Sequence, residues 1–228
     1  MKKNLVAAGV IALAMAGLTV WWRRPPTDPV INGLRLSEWL ERRSPWTPVD
    51  EQAIRASGPD AGRYLGYVIR KNRPLDENGV VKFIRYRSRT FARAQKRSYE
   101  QCFSAVIVLT RLGPSAESAI PDLLSLLDSS YPDETFPRCA AVALHSIGPA
   151  SWDEVDDALK RGSPMAKKRL LWTITARFTP PTPAPSDSEL SLIEATLERC
   201  CRDPDAEVRE AANHALKVFR TELGRSTP

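Results

Sequence analysis

Residues Leu109–Leu127 read LTRLGPSAESAIPDLLSLL. An apolar stretch runs into a Gly-Pro break, small residues follow, and a second apolar stretch closes the segment. The stretch recurs. AVIVLTRLGPSA (Ala105–Ala116) aligns with AAVALHSIGPAS (Ala140–Ser151) at an offset of 35 residues, placing Leu109 on Leu144, Leu112 on Ile147 and Gly113-Pro114 on Gly148-Pro149. A shorter echo, AIRASGPDAGRYL, spans Ala53–Leu65 and breaks at Gly58-Pro59. Toward the C-terminus, SPMAKKRLLWTITARF (Ser163–Phe178) and DPDAEVREAANHALKVF (Asp203–Phe219) open alike, 40 residues apart. Periods of this length signify stacked supersecondary units.

Each unit reads as two helices. In the first, Ala105, Val108, Leu109 and Leu112, then Ala140, Ala143, Leu144 and Ile147, recur at helical spacing. Gly113 and Gly148 suit the left-handed residue that ends a helix, and the following Pro cannot continue it. The second helix opens from a cap. Ser151–Glu154 and Ser186–Glu189 match the S-x-x-E capping box, while Asp203-Pro204 and Ser163-Pro164 place a capping side chain before a first-turn Pro. Small residues at Ala140, Ala141, Ala211 and Ala212 allow close helix approach. Leu109, Leu112, Leu144, Ile147, Leu216 and Phe219 are the expected core. No segment reads clearly as a strand, and VVKFIRYR (Val80–Arg87) fits either type.

DPDAEVREAANHAL resembles the D-x-x-x-x-V-R-x-x-A-x-x-A-L first-helix pattern of the HEAT-repeat family, and LGPSAESAIPDLLSLL resembles its turn and second helix. INGLRLSEWLERR resembles the leader that precedes such repeats in some bacterial membrane-anchored proteins. The resemblance covers about residues 33–223 and is strongest over 103–161. It implies an all-α fold, a short α-solenoid of helical hairpins. Pro137 stands where the family carries Arg, which implies a late start for that helix. HEAT patterns are shared by scaffolds, adaptors and a few enzymes, so the fold leaves function open.

Two lysines precede an uncharged run that closes with Trp21, Trp22, Arg23 and Arg24. The 18 residues Leu5–Trp22 would make a helix about 27 Å long, enough to span a bilayer core. The tryptophans would then sit at the interface. This predicts an uncleaved, single-pass anchor, with Ala14-Met15-Ala16 offering the alternative of a cleaved signal peptide. The domain layout that follows is an anchor over 1–24, a linker over 25–33, a repeat domain over 34–223 and a tail over 224–228. The order of lysines and apolar run imitates a secretory signal and places the repeat domain on the outer, periplasmic face, although Arg23, Arg24 and Arg35 oppose that on the positive-inside count.

The net charge of +6 is unevenly spread. Residues 23–100 hold 17 basic and nine acidic side chains, whereas residues 101–228 hold 14 and 18. The densest stretch is VKFIRYRSRTFARAQKR (Val81–Arg97), with Lys82, Arg85, Arg87, Arg89, Arg93, Lys96 and Arg97 among three aromatics. No acid lies between Glu77 and Glu100. Seven cations without local ion-pair partners predict contact with an anionic surface, either lipid headgroups or an acidic partner. The Pro-rich TPPTPAPSDS (Thr179–Ser188) reads as an extended surface loop.

Catalytic patterns do not emerge. His145 and His214 lack a second ligand at helical spacing, and C-x-x-C, G-x-S-x-G, P-loop and G-x-G-x-x-G patterns are missing. Acid pairs at Asp153-Glu154 and Asp156-Asp157 fall in the first turns of a helix, where the macrodipole favours them. Cys102, Cys139, Cys200 and Cys201 read as small core side chains. The expectation is a non-enzymatic, membrane-anchored scaffold that needs no cofactor or metal and holds a protein or peptide on stacked second helices. The alternative is nucleic-acid binding through residues 82–97, where cations could track phosphates and aromatics stack bases.

Overall fold

The computed structural model describes residues 25–41, 48–73, 79–128, 134–176 and 186–222. The anchor reading (residues 1–24), most of the Pro-rich loop and the tail lie outside them. Among the described residues no helix is long and apolar enough to cross a membrane.

The chain is mostly helical. A short hairpin, β1 (Val30–Ile31) paired antiparallel with β2 (Leu34–Arg35), leads into α1 (Leu36–Glu41). Then come α2 (Pro48–Ala56), α3 (Gly58–Asn72), α4 (Gly79–Arg87) and the long α5 (Arg89–Leu112). A 3-10 segment, Gly113–Ala119, joins α5 to α6 (Ile120–Leu127). After α7 (Thr135–Ile147) a second one, Gly148–Ser151, leads to α8 (Trp152–Arg161), followed by α9 (Pro164–Ala176), α10 (Asp187–Cys200) and α11 (Ala206–Glu222).

The hairpin corrects the strand-free reading. Asn32 and Gly33 have φ of 50° and 78°, the positive pair that a two-residue turn between twisted strands requires. The Asn-Gly dipeptide was the available signal. Ile31 is buried and its carbonyl accepts from the Trp39 indole at 3.2 Å, while Asp28 receives the Ser37 amide at 3.2 Å and caps α1 from across the turn.

α5, α7, α9 and α11 pack in series, α5 also closely against α3 and α7 also against α6, and α3, α6 and α8 are linked in the same order. Leu109, Leu112, Leu144, Ile147 and Phe219 are buried as expected. Leu216 is only partly buried, because Ala212, Ala215 and Phe219 carry the inward face of α11. Ala140, Ala141 and Ala212 lie in the core. A close approach that the sequence reading missed lies at Gly66 on α3, where a Cβ would stand 2.5 Å from the Asp122 carboxylate.

Helix ends test the local rules in detail. Gly113 and Gly148 do take positive φ, 60° and 80°, but with ψ of −133° and −145°. This is the glycine-only extended region and not the left-handed helix region. The reason is the next residue: a Pro ring excludes helical ψ from the position before it. Ser186 makes the expected capping box, its hydroxyl accepting from the Glu189 amide and Glu189 accepting from the Ser186 amide at 2.7 Å. Ser163 likewise caps α9, receiving the Ala166 amide at 3.1 Å. Ser151 does not cap α8. Its hydroxyl is buried and donates to the Leu144 and Gly148 carbonyls, both at 2.8 Å, satisfying the end of α7. Asp203 does not cap α11 either; Asp205 does, accepting from Glu207 and Val208 amides at 3.0 Å. The helix α7 begins at Thr135, ahead of Pro137 and not after it. Pro137 sits in the first turn, where its missing N–H costs nothing.

Polar ties join residues about one repeat apart. Arg169 on α9 donates to both Glu134 oxygens, at 2.8 and 3.1 Å, and to the Leu127 carbonyl at the end of α6. Ser163 bonds Asp128, Lys167 bonds Asp203 at 2.7 Å, and Asp156 receives Arg199 at 2.5 Å and Thr196 at 3.0 Å. On α6, the buried Asp122 pairs with Arg70 of α3 at 2.7 Å.

These ties set a pH dependence. The hydrogen bond from Arg169 holds the Glu134 carboxyl below its ordinary range. Burial pushes Asp156 up, but bonds from Lys160, Arg199 and Thr196 outweigh it and leave it low. Groups with depressed folded pKa values stabilise the protein above their ordinary pKa and lose that stabilisation as pH falls. Asp122 acts oppositely: burial raises it, outweighing Arg70, so its contribution is fullest at acid pH and lost as pH rises. The melting temperature is expected to fall as pH is lowered from about 5 to about 2. Calorimetry on Asp156→Asn should show a shallower fall, and on Asp122→Asn a steeper one.

Candidate anionic-surface site

The basic stretch forms two helices separated by Ser88. VVKFIRYR, ambiguous in sequence, lies in α4, and Ser88 breaks the chain before α5. Ser88 is extended, with φ −123° and ψ 105°, and its hydroxyl accepts the Phe91 amide at 3.2 Å as the cap of α5.

α4 packs against α5, and Val81 is its buried residue. Val80, Phe83 and Ile84 recur at the spacing that shares one helix face. All three are exposed, Val80 and Phe83 by 66% and 61%. Tyr86, beside Phe83, is 88% exposed. The Arg87 guanidinium lies over the Phe83 ring, 5.7 Å from its centroid. Lys82 and Arg87 are exposed on α4 and Arg85 is half-buried, while Arg89 and Arg93 stand exposed one turn apart on α5.

The expectation that all seven cations lack ion-pair partners does not hold. Arg97 reaches Glu41 at the end of α1, 2.5 Å away, and Lys96 lies 4.0 Å from Glu100 one turn on. Glu41 is 56 residues from Arg97, beyond any local pattern. The fold therefore divides the segment: Lys96 and Arg97 pair with acids at the surface, while Lys82, Arg87, Arg89 and Arg93 are exposed, Arg87 on the apolar strip of α4.

Elsewhere the titratable groups serve packing. All four cysteines are free thiols. Burial pushes the Cys102 thiol up to about 12 and raises Cys200 and Cys201 as well. His145 meets Trp152 edge-on, with ring centroids 5.7 Å apart. Among the described residues no group of three His, Cys, Asp or Glu side chains is placed to hold a metal ion. Comparisons with protein-family models, with curated proteins and with solved structures found no match.

Proposed function

We propose that this chain is a non-enzymatic, membrane-anchored scaffold: a short α-solenoid of HEAT-like hairpins whose second helices hold a protein or peptide partner. The supporting observation is the serial packing of α5, α7, α9 and α11. In such a stack each hairpin completes its core against its neighbours, and the outward face of the second helices is left for a ligand. The exposed side chains of α8 and α10 include Glu154, Arg161, Ser191, Leu192, Glu198 and Arg199, a surface of both charge signs suited to a polar partner segment. The lysine-led apolar run of residues 2–22 supplies the tether and places the domain on the outer face.

Photo-crosslinking in living cells tests this reading. A crosslinking residue at Glu154 or Ser191 is expected to capture one recurrent polypeptide, whereas the same residue at Arg138 or Met165, exposed on the first helices α7 and α9, captures none. Equal capture from both sets, or none from either, overturns the proposal. Reporter fusions after Pro228 test the side: activity from a cytoplasmic reporter alone reverses it.

A further inference from the structure

We propose that α4 is an interfacial helix that lies on an anionic phospholipid surface. Val80, Phe83 and Ile84 enter the acyl boundary, and Arg87, Arg89 and Arg93 meet headgroup phosphates. The proposal rests on the membrane location proposed above and extends it from the tether to the folded domain.

Three observations point the same way. First, α4 is amphipathic in an unusual sense: Val81 faces the protein, while larger apolar side chains face out. A helix that needed only to be solvated would expose its charges and bury Phe83. Second, a cation lies on the apolar strip itself. Arg87 lies within it, its guanidinium over the Phe83 ring. Long basic side chains in such positions extend toward phosphates while their alkyl stems stay with the apolar groups. Third, the charge is of one sign, with Lys96 and Arg97 already tied to acids and no acid between Glu77 and Glu100.

The aliphatic members of the strip distinguish lipid from nucleic acid. Single-stranded nucleic acid is held by aromatic faces that stack bases. Val80 and Ile84 have no such face, whereas a hydrocarbon surface accepts both. Tyr86, largely exposed at the rim of the strip, suits the headgroup level, where amphipathic rings collect. Each cation held at an anionic surface strengthens association roughly fivefold, and the gain is screened within about 10 Å in 0.1 M salt.

The test uses the full chain and hydrogen–deuterium exchange. The protein is presented to phosphatidylcholine nanodiscs, to nanodiscs containing phosphatidylglycerol, and to phosphatidylcholine nanodiscs with a DNA oligonucleotide. Co-migration with the neutral discs reports the N-terminal tether alone. Amides of residues 80–88 are expected to exchange about tenfold more slowly on the anionic discs than on the neutral ones, with the difference lost at high salt. Phe83→Ser with Ile84→Ser, and separately Arg87→Gln with Arg89→Gln and Arg93→Gln, should each abolish the difference. Because these side chains are exposed, exchange in α7 and α9 should stay unchanged in both variants. Equal exchange on the two disc types overturns the proposal whether or not the chain co-migrates with neutral discs. Slowing with the oligonucleotide but not with anionic lipid overturns it in favour of nucleic acid.

Discussion

Phe136→Ala is expected to destabilise the protein by about 3–5 kcal/mol, the range for deleting a fully buried aromatic ring. The Phe136 ring has no exposed surface. It stands near the N-terminal end of α7 and meets two side chains of α5, with centroids 5.4 Å from Tyr99 and 6.3 Å from Phe103. Tyr99 and Phe103 are themselves stacked, 6.1 Å apart at 10°. The ring therefore joins one helical unit to the next, and a void there weakens both. Phe136→Leu, which keeps most of the volume, should cost about 1 kcal/mol. Urea unfolding followed by circular dichroism measures both. A cost below about 1 kcal/mol for the Ala variant would mean that the site collapses around the missing ring.

The second large effect is an asymmetry. Glu134→Ala is expected to cost about 3 kcal/mol and Arg169→Met less, about 1–2 kcal/mol, although both delete the same ion pair. The Arg169 side chain is 5% exposed, whereas that of Glu134 is 48% exposed. Removing the acid leaves a guanidinium that cannot shed its proton in a site with little water. Removing the guanidinium leaves a carboxylate that solvent can reach, and Met fills much of the space. What Arg169→Met does forfeit is the donor to the Leu127 carbonyl. Matched denaturant titrations decide the order, and equal costs would mean that water reaches Arg169.

How much of this was legible in the sequence depends on the range of each interaction. The helix breaks at Gly113 and Gly148, the capping box at Ser186 and the core positions Leu109 and Leu144 follow from rules spanning a few residues, and they were readable. The Asn32-Gly33 hairpin is equally local and was overlooked behind the helical pattern of the residues after it. Ser151 and Asp203 were misassigned for another reason. Ser151 turns back to the carbonyls that end α7, three and seven residues away, while Asp203 is drawn to Lys167 by tertiary packing. The bond from Arg97 to Glu41 and the tie from Arg169 to Glu134 depend on how helices stack, which a period of 35 residues suggests without specifying. In the basic segment the charge was plain. What the sequence withheld was the pairing of Arg97 with Glu41, and that Phe83 and Ile84 face out.

The serial packing of α5, α7, α9 and α11 also bears on biosynthesis. Contacts between sequential neighbours keep loops short, so their closure demands little chain entropy before it is rewarded. Nothing in α3, α5 or α6 waits for α11, whose principal neighbours are α9 and α10. The nascent chain can consolidate unit by unit as it emerges, each apolar helix face being covered by the next segment synthesised. The interval of greatest aggregation risk is then the time between one helix and its successor, not the time needed to complete the polypeptide.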